Sequence, residues 1–299
     1  MSKKSRKIGF IGLGEMGSRM VKNLIDDGFE VIAYDIRKDA VTSLETLGAI
    51  SADSPKAVGE KSEIVVLSLP SSSEVIDTVT GQNGVLEGIK KEGIIVDTST
   101  IDPNTTKELE KIAKEKNVKF VDAPVSGGTI GAEKATLSIM VGGKKEVVDP
   151  CMDVLNAIGE NIYHVGDVGS GQVFKLINNM LVGINLAAVG EAMVLASKVG
   201  ADMKKLSEVI KTSAGTSWAF ETKADNILVD KFDPGFRLWL QHKDLALARK
   251  MASDDGVPCP LLALVYEMYE SSKSMGLEDL DHSAVVKFFE KISNSKINA

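Results

Sequence analysis

With 299 residues, 43% of them hydrophobic, the chain can fill one large domain or two ordinary ones. A net charge of −7 and a pI near 5.2 argue against a nucleic-acid surface, and Lys3, Lys4, Arg6 and Lys7 are too few to suggest one. No apolar run precedes the first strand, so no signal peptide is expected. Cys151 and Cys259, far apart in sequence, fit a reducing cytoplasm, and with His164, His242 and His282 scattered no metal site is expected.

Residues 7–11 read as a short buried strand. Gly12-Leu13-Gly14-Glu15-Met16-Gly17 follows, and then residues 18–25 with helical spacing. This is G-x-G-x-x-G in the context it needs, strand before and helix after. Gly12 permits the tight turn, Gly14 lets backbone approach a pyrophosphate, and Gly17 lets helix pack on strand. The helix N-terminus offers free N–H groups to the phosphates. A second strand, 30–34, ends at Asp35, where a carboxylate can hold the ribose hydroxyls of NAD. Asp35 would repel the 2′-phosphate of NADP. Arg37, two positions on, could receive that phosphate, so NAD is favoured and NADP stays open.

Strand and helix patterns keep alternating, as in a doubly wound sheet. Strands are expected at 64–69, 94–97, 119–122, 137–143 and 161–165. Asp102 and Pro103 are placed to start a helix, and another is expected over 144–158. Leu69 and Pro70 close one strand, and Thr98-Ser99-Thr100 leave the next. The loop Asp122-Ala-Pro-Val-Ser126-Gly127-Gly128 exposes a hydroxyl and backbone N–H groups together, which suits either a carboxylate or an ordinary glycine-rich turn.

From Gly166 a helix runs to about Val199, and its only charge between Asp167 and Glu191 is Lys175. Apolar residues on nearly every side predict burial. Four glycines and three asparagines argue against a membrane span. A buried lysine costs free energy unless something uses it. After this helix the strand signals stop. Helices are expected at 202–212, 241–253, 261–275 and 283–291, with a frayed polar tail over 293–299, so the second half reads as all-helical. Phe220, Phe236, Trp218 and Trp239 read as core or pocket-lining aromatics, and His242 as a packing residue.

Four segments, in order and with matching spacing, resemble the β-hydroxyacid dehydrogenases: residues 10–17, 122–128, Gly169-x-Gly171-x-x-x-Lys175-x-x-x-Asn179 and Lys243-Asp-Leu245. The resemblance spans essentially the whole chain. It implies an α/β Rossmann-type doubly wound sheet followed by an all-α C-terminal domain, joined by the long central helix (about 169–199). Residues 1–166 would bind NAD, and 167–299 would serve substrate and oligomerisation. Lys175 would be the catalytic acid/base and Asn179 would orient substrate, with Asn178 as an alternative contact. Ser126, Gly127 and Gly128 would hold the substrate carboxylate. Lys243 would serve both substrate and cofactor. Gly12, Leu13, Gly14, Glu15, Met16, Gly17, Asp35, Leu69, Pro70 and Thr100 would contact the dinucleotide.

The implied reaction is reversible oxidation of a small 3-hydroxy acid to its semialdehyde, of the 3-hydroxyisobutyrate or 2-(hydroxymethyl)glutarate type. Tartronate semialdehyde reduction with NADH or NADPH is the nearest alternative. A non-catalytic dinucleotide-binding scaffold is another, disfavoured because the lysine is present in its context. An ordinary lysine is too basic to take a proton at neutral pH, and desolvation beside a cationic nicotinamide would correct that. Asp225, Arg237 and Lys243 are candidates for substrate choice. The expected assembly is a cytoplasmic homodimer or homotetramer.

Overall fold

Short apolar runs become strands here because both of their faces are covered. In the computed structural model, which describes residues 6–297, the described strands form one sheet. They are β1 (Lys7–Ile11), β2 (Glu30–Tyr34), β3 (Ile50–Ser51), β4 (Ile64–Leu67), β5 (Ile94–Asp97), β6 (Lys119–Asp122), β7 (Val125–Ser126), β8 (Leu137–Gly142) and β9 (Gly159–Gly166). The order is β3-β2-β1-β4-β5-β6-β8-β7, with β9 paired to β8. The first six strands run parallel, and β8 is antiparallel to both β6 and β7.

Alternate residues of each strand feed two cores. Ile8, Phe10, Val31, Ala33, Ile64, Val66 and Val96 pack with Met20, Val21 and Leu24 of helix Gly17–Asp26. Ile11, Ile32, Val65, Leu67 and Ile95 pack in the other core with Val58, Val75, Leu109 and Ala113. A parallel sheet buried on both faces reads as continuous hydrophobic runs for this reason.

By compactness the chain divides into two units, one ending at Lys175 and the next beginning at Leu176. The division falls inside one continuous helix, Ser170–Lys198. In the second unit, helices Met203–Lys211, Trp218–Leu228, Leu238–Asp254, Pro260–Ser274 and Val286–Ile292 gather around Leu186, Val189, Met193 and Val194 of the long helix. Asp202 and Ser217 cap their helices through side-chain oxygens, and Pro260 opens another, so local signals set these boundaries.

Several expectations change. The long helix is not buried all round: Phe174, Ile177, Leu181 and Leu195 are exposed while Leu176, Leu186 and Met193 are not. One face fills the helical core and another is left uncovered. It is the one described helix long and apolar enough to cross a bilayer, but its inward face belongs to a packed helical core. The expected helix over 144–158 is broken into Lys145–Val148, a 3-10 turn at Asp149–Cys151 and Met152–Ile158, because Pro150 brings no N–H to continue it. β3 and β7 went unread because two residues carry no alternation pattern. The tail is anchored as far as Ile297, which lies in the helical core and donates its N–H to Glu290 Oε1 at 2.8 Å. Asn298 and Ala299, like Lys3 and Lys4, lie outside the described residues.

Candidate active site

Parallel pairing aligns Tyr34, Ile11, Leu67, Asp97 and Asp122 in one row at the C-terminal edge of the sheet. The loops that leave this row carry most of the predicted site. Gly12 turns with φ +95°, and a Cβ there would lie 2.2 Å from Ser68 O. A Cβ on Gly17 would lie 1.9 Å from Gly12 O, so the first helix can pack this close only through glycine. Over Gly14 the protein leaves open space: a Cβ would meet no atom within 4 Å. Met16 at the N-cap supplies no side-chain hydrogen bond to the helix. An uncapped helix N-terminus beside open backbone fits a dinucleotide pyrophosphate. Leu13 is buried, while Glu15 is exposed and paired with Arg19 at 2.8 Å.

Asp35 Oδ2 accepts from Leu13 N at 2.6 Å, and Oδ1 accepts from Arg37 N at 2.8 Å. Arg37 Nε lies 3.3 Å from the same carboxylate, and its Nη2 donates to Leu13 O. Burial pushes the Asp35 carboxyl up, but the hydrogen bonds from Arg37 and Leu13 outweigh it and hold the group below its ordinary value. Oδ1 is taken up by two donors of Arg37, and Oδ2, with one donor, keeps a lone-pair site for a ribose hydroxyl.

Leu69 N donates to Ser99 Oγ at 2.8 Å, tying the loop after β4 to the loop after β5. Pro70 is exposed and Thr100 half-buried beside this tie. Ser126 is half-buried, but in β7, where it pairs with Ser138, and not in the open loop expected from the sequence. Gly127 (φ +133°) and Gly128 (φ +63°) then start the short helix Gly128–Glu133.

The start of the long helix is fastened to this same edge. Fully buried Asp122 accepts from Gly169 N at 2.7 Å through Oδ1 and from Gln172 N at 2.9 Å through Oδ2. A Cβ on Gly171 would come within 2.3 Å of Met140 O and 2.7 Å of Asp122 Oδ2, which explains the glycine. Burial pushes the Asp122 carboxyl up to about 6 against the pull of these amides. Gln172 is also fully buried; its Nε2 donates to Ser99 O at 2.8 Å and its Oε1 accepts from Ile101 N at 3.1 Å. Lys175 follows on the same helix, 7% exposed.

The helical unit holds the other predicted residues. Asn179 is buried and donates from Nδ2 to Asp244 Oδ2 at 2.5 Å, and its backbone oxygen accepts from Gln241 Nε2 at 2.7 Å. Asn178 is half-buried and donates to Asn179 Oδ1. Lys243 Nζ lies 3.0 Å from Asp244 Oδ1, an ion pair but not an aligned hydrogen bond. Asn179 and Lys243 thus meet at Asp244. His242 finds an acid that the sequence did not reveal. Its Nε2 is 2.5 Å from Glu270 Oε2, again without hydrogen-bond alignment, and its ring lies against Tyr266. Asp225 pairs with Lys211, and Arg237 with Asp279. Phe220 is core, Phe236 sits edge-on to His282, Trp239 is half-buried and Trp218 is exposed.

Gln172 and Asp244 were missed as site residues. Gln172 is a polar side chain among small and apolar neighbours, the signal that singled out Lys175, whereas Asp244 follows Gln241, His242 and Lys243 and carries no such signal. Both were passed over because no partner could be named from sequence.

A family model described as the NAD binding domain of 6-phosphogluconate dehydrogenase matches residues 7–166. A second, described as NAD-binding of NADP-dependent 3-hydroxyisobutyrate dehydrogenase, matches residues 169–289. The chain is 41% identical to 2-(hydroxymethyl)glutarate dehydrogenase of Eubacterium barkeri over 296 residues, covering 99% of this chain and 98% of that one. It is 36% identical to the mitochondrial 3-hydroxyisobutyrate dehydrogenase of Homo sapiens, covering 94% of this chain and 86% of that one. The solved 3-hydroxyisobutyrate dehydrogenase of Mycobacterium tuberculosis with L-serine superposes with a TM-score of 0.88 at 32% identity, over 96% of this chain and 99% of the other.

Proposed function

The chain belongs to the β-hydroxyacid dehydrogenases, the family of 3-hydroxyisobutyrate dehydrogenase, and from that premise we propose that it interconverts a small 3-hydroxy carboxylic acid and its semialdehyde with Lys175 as general acid/base. The observation that carries this reading is the place of Lys175. It is a buried lysine on a helix whose first turn is bonded to the edge of the sheet that also bears the glycine turn.

A nicotinamide dinucleotide, when bound, supplies the two-electron acceptor. The glycine turn and the uncapped helix N-terminus would hold its pyrophosphate, and Asp35 its ribose. Lys175 takes the hydroxyl proton as the carbinol carbon gives up hydride, and returns it to the aldehyde oxygen in reverse. Ser126, Gly127 and Gly128 bind the distal carboxylate through hydroxyl and backbone N–H. Asn179, its amide fixed by Asp244, orients the substrate. We assign the dinucleotide to residues 1–166 and, apart from the carboxylate contacts at Ser126, Gly127 and Gly128, substrate binding and assembly to residues 167–299. The identity to the hydroxymethylglutarate enzyme favours that substrate or 3-hydroxyisobutyrate over tartronate semialdehyde.

NAD is the preferred dinucleotide in this reading. Arg37 is bound to Asp35 and to Leu13 O, so the cation that would receive a 2′-phosphate is already engaged. The exposed stripe Phe174, Ile177, Leu181 supports a homodimer or homotetramer, and the free thiols of Cys151 and Cys259 support a cytoplasmic setting.

Lys175→Ala tests the central claim. Turnover should fall by about 10²–10⁴-fold while dinucleotide binding is kept. Near-normal turnover sinks the reading. A panel of semialdehydes with NADH and NADPH compared separates the substrates, and a kcat/KM preference for NADPH overturns the cofactor choice. Light scattering on the eluting protein reads the assembly, and a monomer at micromolar concentration argues against it.

A further inference from the structure

Gln172 belongs to none of the roles assigned above, yet it is the most connected side chain on the first turn of the long helix. Its amide takes up both main-chain groups that flank Thr100: the carbonyl of Ser99 and the N–H of Ile101. Ser99 in turn receives the N–H of Leu69. The backbone N–H of Gln172 goes to Asp122 at the end of β6. One fully buried residue therefore joins the helix to the loops after β4 and β5 and to the last residue of β6.

The two attachments act at different places. Asp122 binds main-chain N–H groups at the helix start, while the Gln172 side chain ties the flank of the helix to the loop around Thr100 and adds a second restraint on its rotation. Lys175 is three residues on, so it lies on the same side of the helix as Gln172. Any rotation would swing the lysine sideways relative to Thr100.

We infer that Gln172 is a positioning residue for Lys175, locking the helical turn that bears the lysine to the loop that bears Thr100 so that the two hold one geometry. The inference rests on the reading of Lys175 as the general acid/base. Catalytic groups held by such supporting bonds lose rate steeply when displaced by as little as an ångström.

The experiment uses the full-length enzyme and four variants: Q172L, Q172E, K175A and the double variant Q172L/K175A. Q172L should lower kcat by about 10–100-fold, with dinucleotide Kd changed by no more than about threefold. The double variant should be no slower than K175A alone, because coupled residues are non-additive. The carboxyl introduced by Q172E can replace both bonds of the amide only when protonated. The ratio of Q172E to wild-type kcat should therefore rise as pH falls from about 9 to about 6, which a general packing defect would not produce.

Wild-type kcat in Q172L beside an inactive K175A overturns the inference and leaves the role of Lys175 standing. An active K175A overturns both. Additive losses in the double variant show Gln172 acting independently and also overturn it. If Q172L does not fold, Q172E decides, and a ratio that is flat with pH overturns the inference.

Discussion

Two buried carboxylates hold the long helix, one in each unit, and they do so by different means. Asp122 in the α/β unit is fully buried and satisfied by backbone, the N–H groups of Gly169 and Gln172. Asp244 in the helical unit is 1% exposed and meets side chains instead: it accepts from the Asn179 amide and forms an ion pair with the Lys243 ammonium. Main-chain donors cannot move without moving the helix, so Asp122 fixes where the helix starts. Side-chain donors can adjust, so Asp244 sets the rotamers of Asn179 and Lys243 with less demand on the fold. Among the described residues Asp122 has no cation for a partner, and burial pushes it up to about 6. The difference separates an anchor from an orienting group.

The sharpest way to break this comparison is Asp122→Ala. It leaves two buried N–H groups without an acceptor, at roughly 1–3 kcal/mol each, so a loss of about 2–6 kcal/mol is expected in urea unfolding at pH 8. A loss under about 1 kcal/mol would mean that Asp122 is no anchor. Gly171→Ala attacks the same contact from the helix side. Its new methyl would sit 2.3 Å from Met140 O. Displacing the helix start to relieve that should cost about 1–3 kcal/mol and slow turnover as well, read by unfolding and kcat on the same sample.

A smaller effect comes from pH. The folded-state value for Asp122, about 6, lies above the unfolded value near 3.9, so the folded chain holds the extra proton between them. The stability this proton brings is complete below about pH 4 and is lost as pH rises through about 6. Asp122→Asn does not titrate. The stability advantage of wild type over this variant should therefore grow by on the order of 1 kcal/mol as pH falls from about 8 to about 5. An advantage that shrinks over that range would refute the assignment. The least effect is expected from Asp244→Asn, which keeps an acceptor for Asn179 and gives up only the charge facing Lys243. Its unfolding free energy should stay within about 1 kcal/mol of wild type. A larger loss than that of Asp122→Asn at the same pH would reverse the contrast.

The candidate site was legible in the sequence to the extent that its signals are local. G-x-G-x-x-G between strand and helix, an acid closing the second strand and a lone lysine in an apolar helix each carry their meaning within a few residues. The same locality explains the failures. Ser126 was read as part of an open loop because its partner, Ser138, arrives from a later strand. The side-chain partners of Gln172 lie 71 and 73 residues away in sequence. The acid facing His242 comes from another helix.

The sequence by itself determined the family, the alternation of strands and helices, and the glycines without which the first turn cannot form. Apolar periodicity and the steric demands of glycine and proline act over one or two turns of chain, so a linear reading captures them. Tertiary structure alone decided which face of the long helix is buried, and that Asp122 and Gln172 fasten its first turn. It also decided that Asn179 rather than Asn178 bonds Asp244. Those outcomes depend on which distant backbone groups are left needing a partner once the strands have paired, and no local pattern records that.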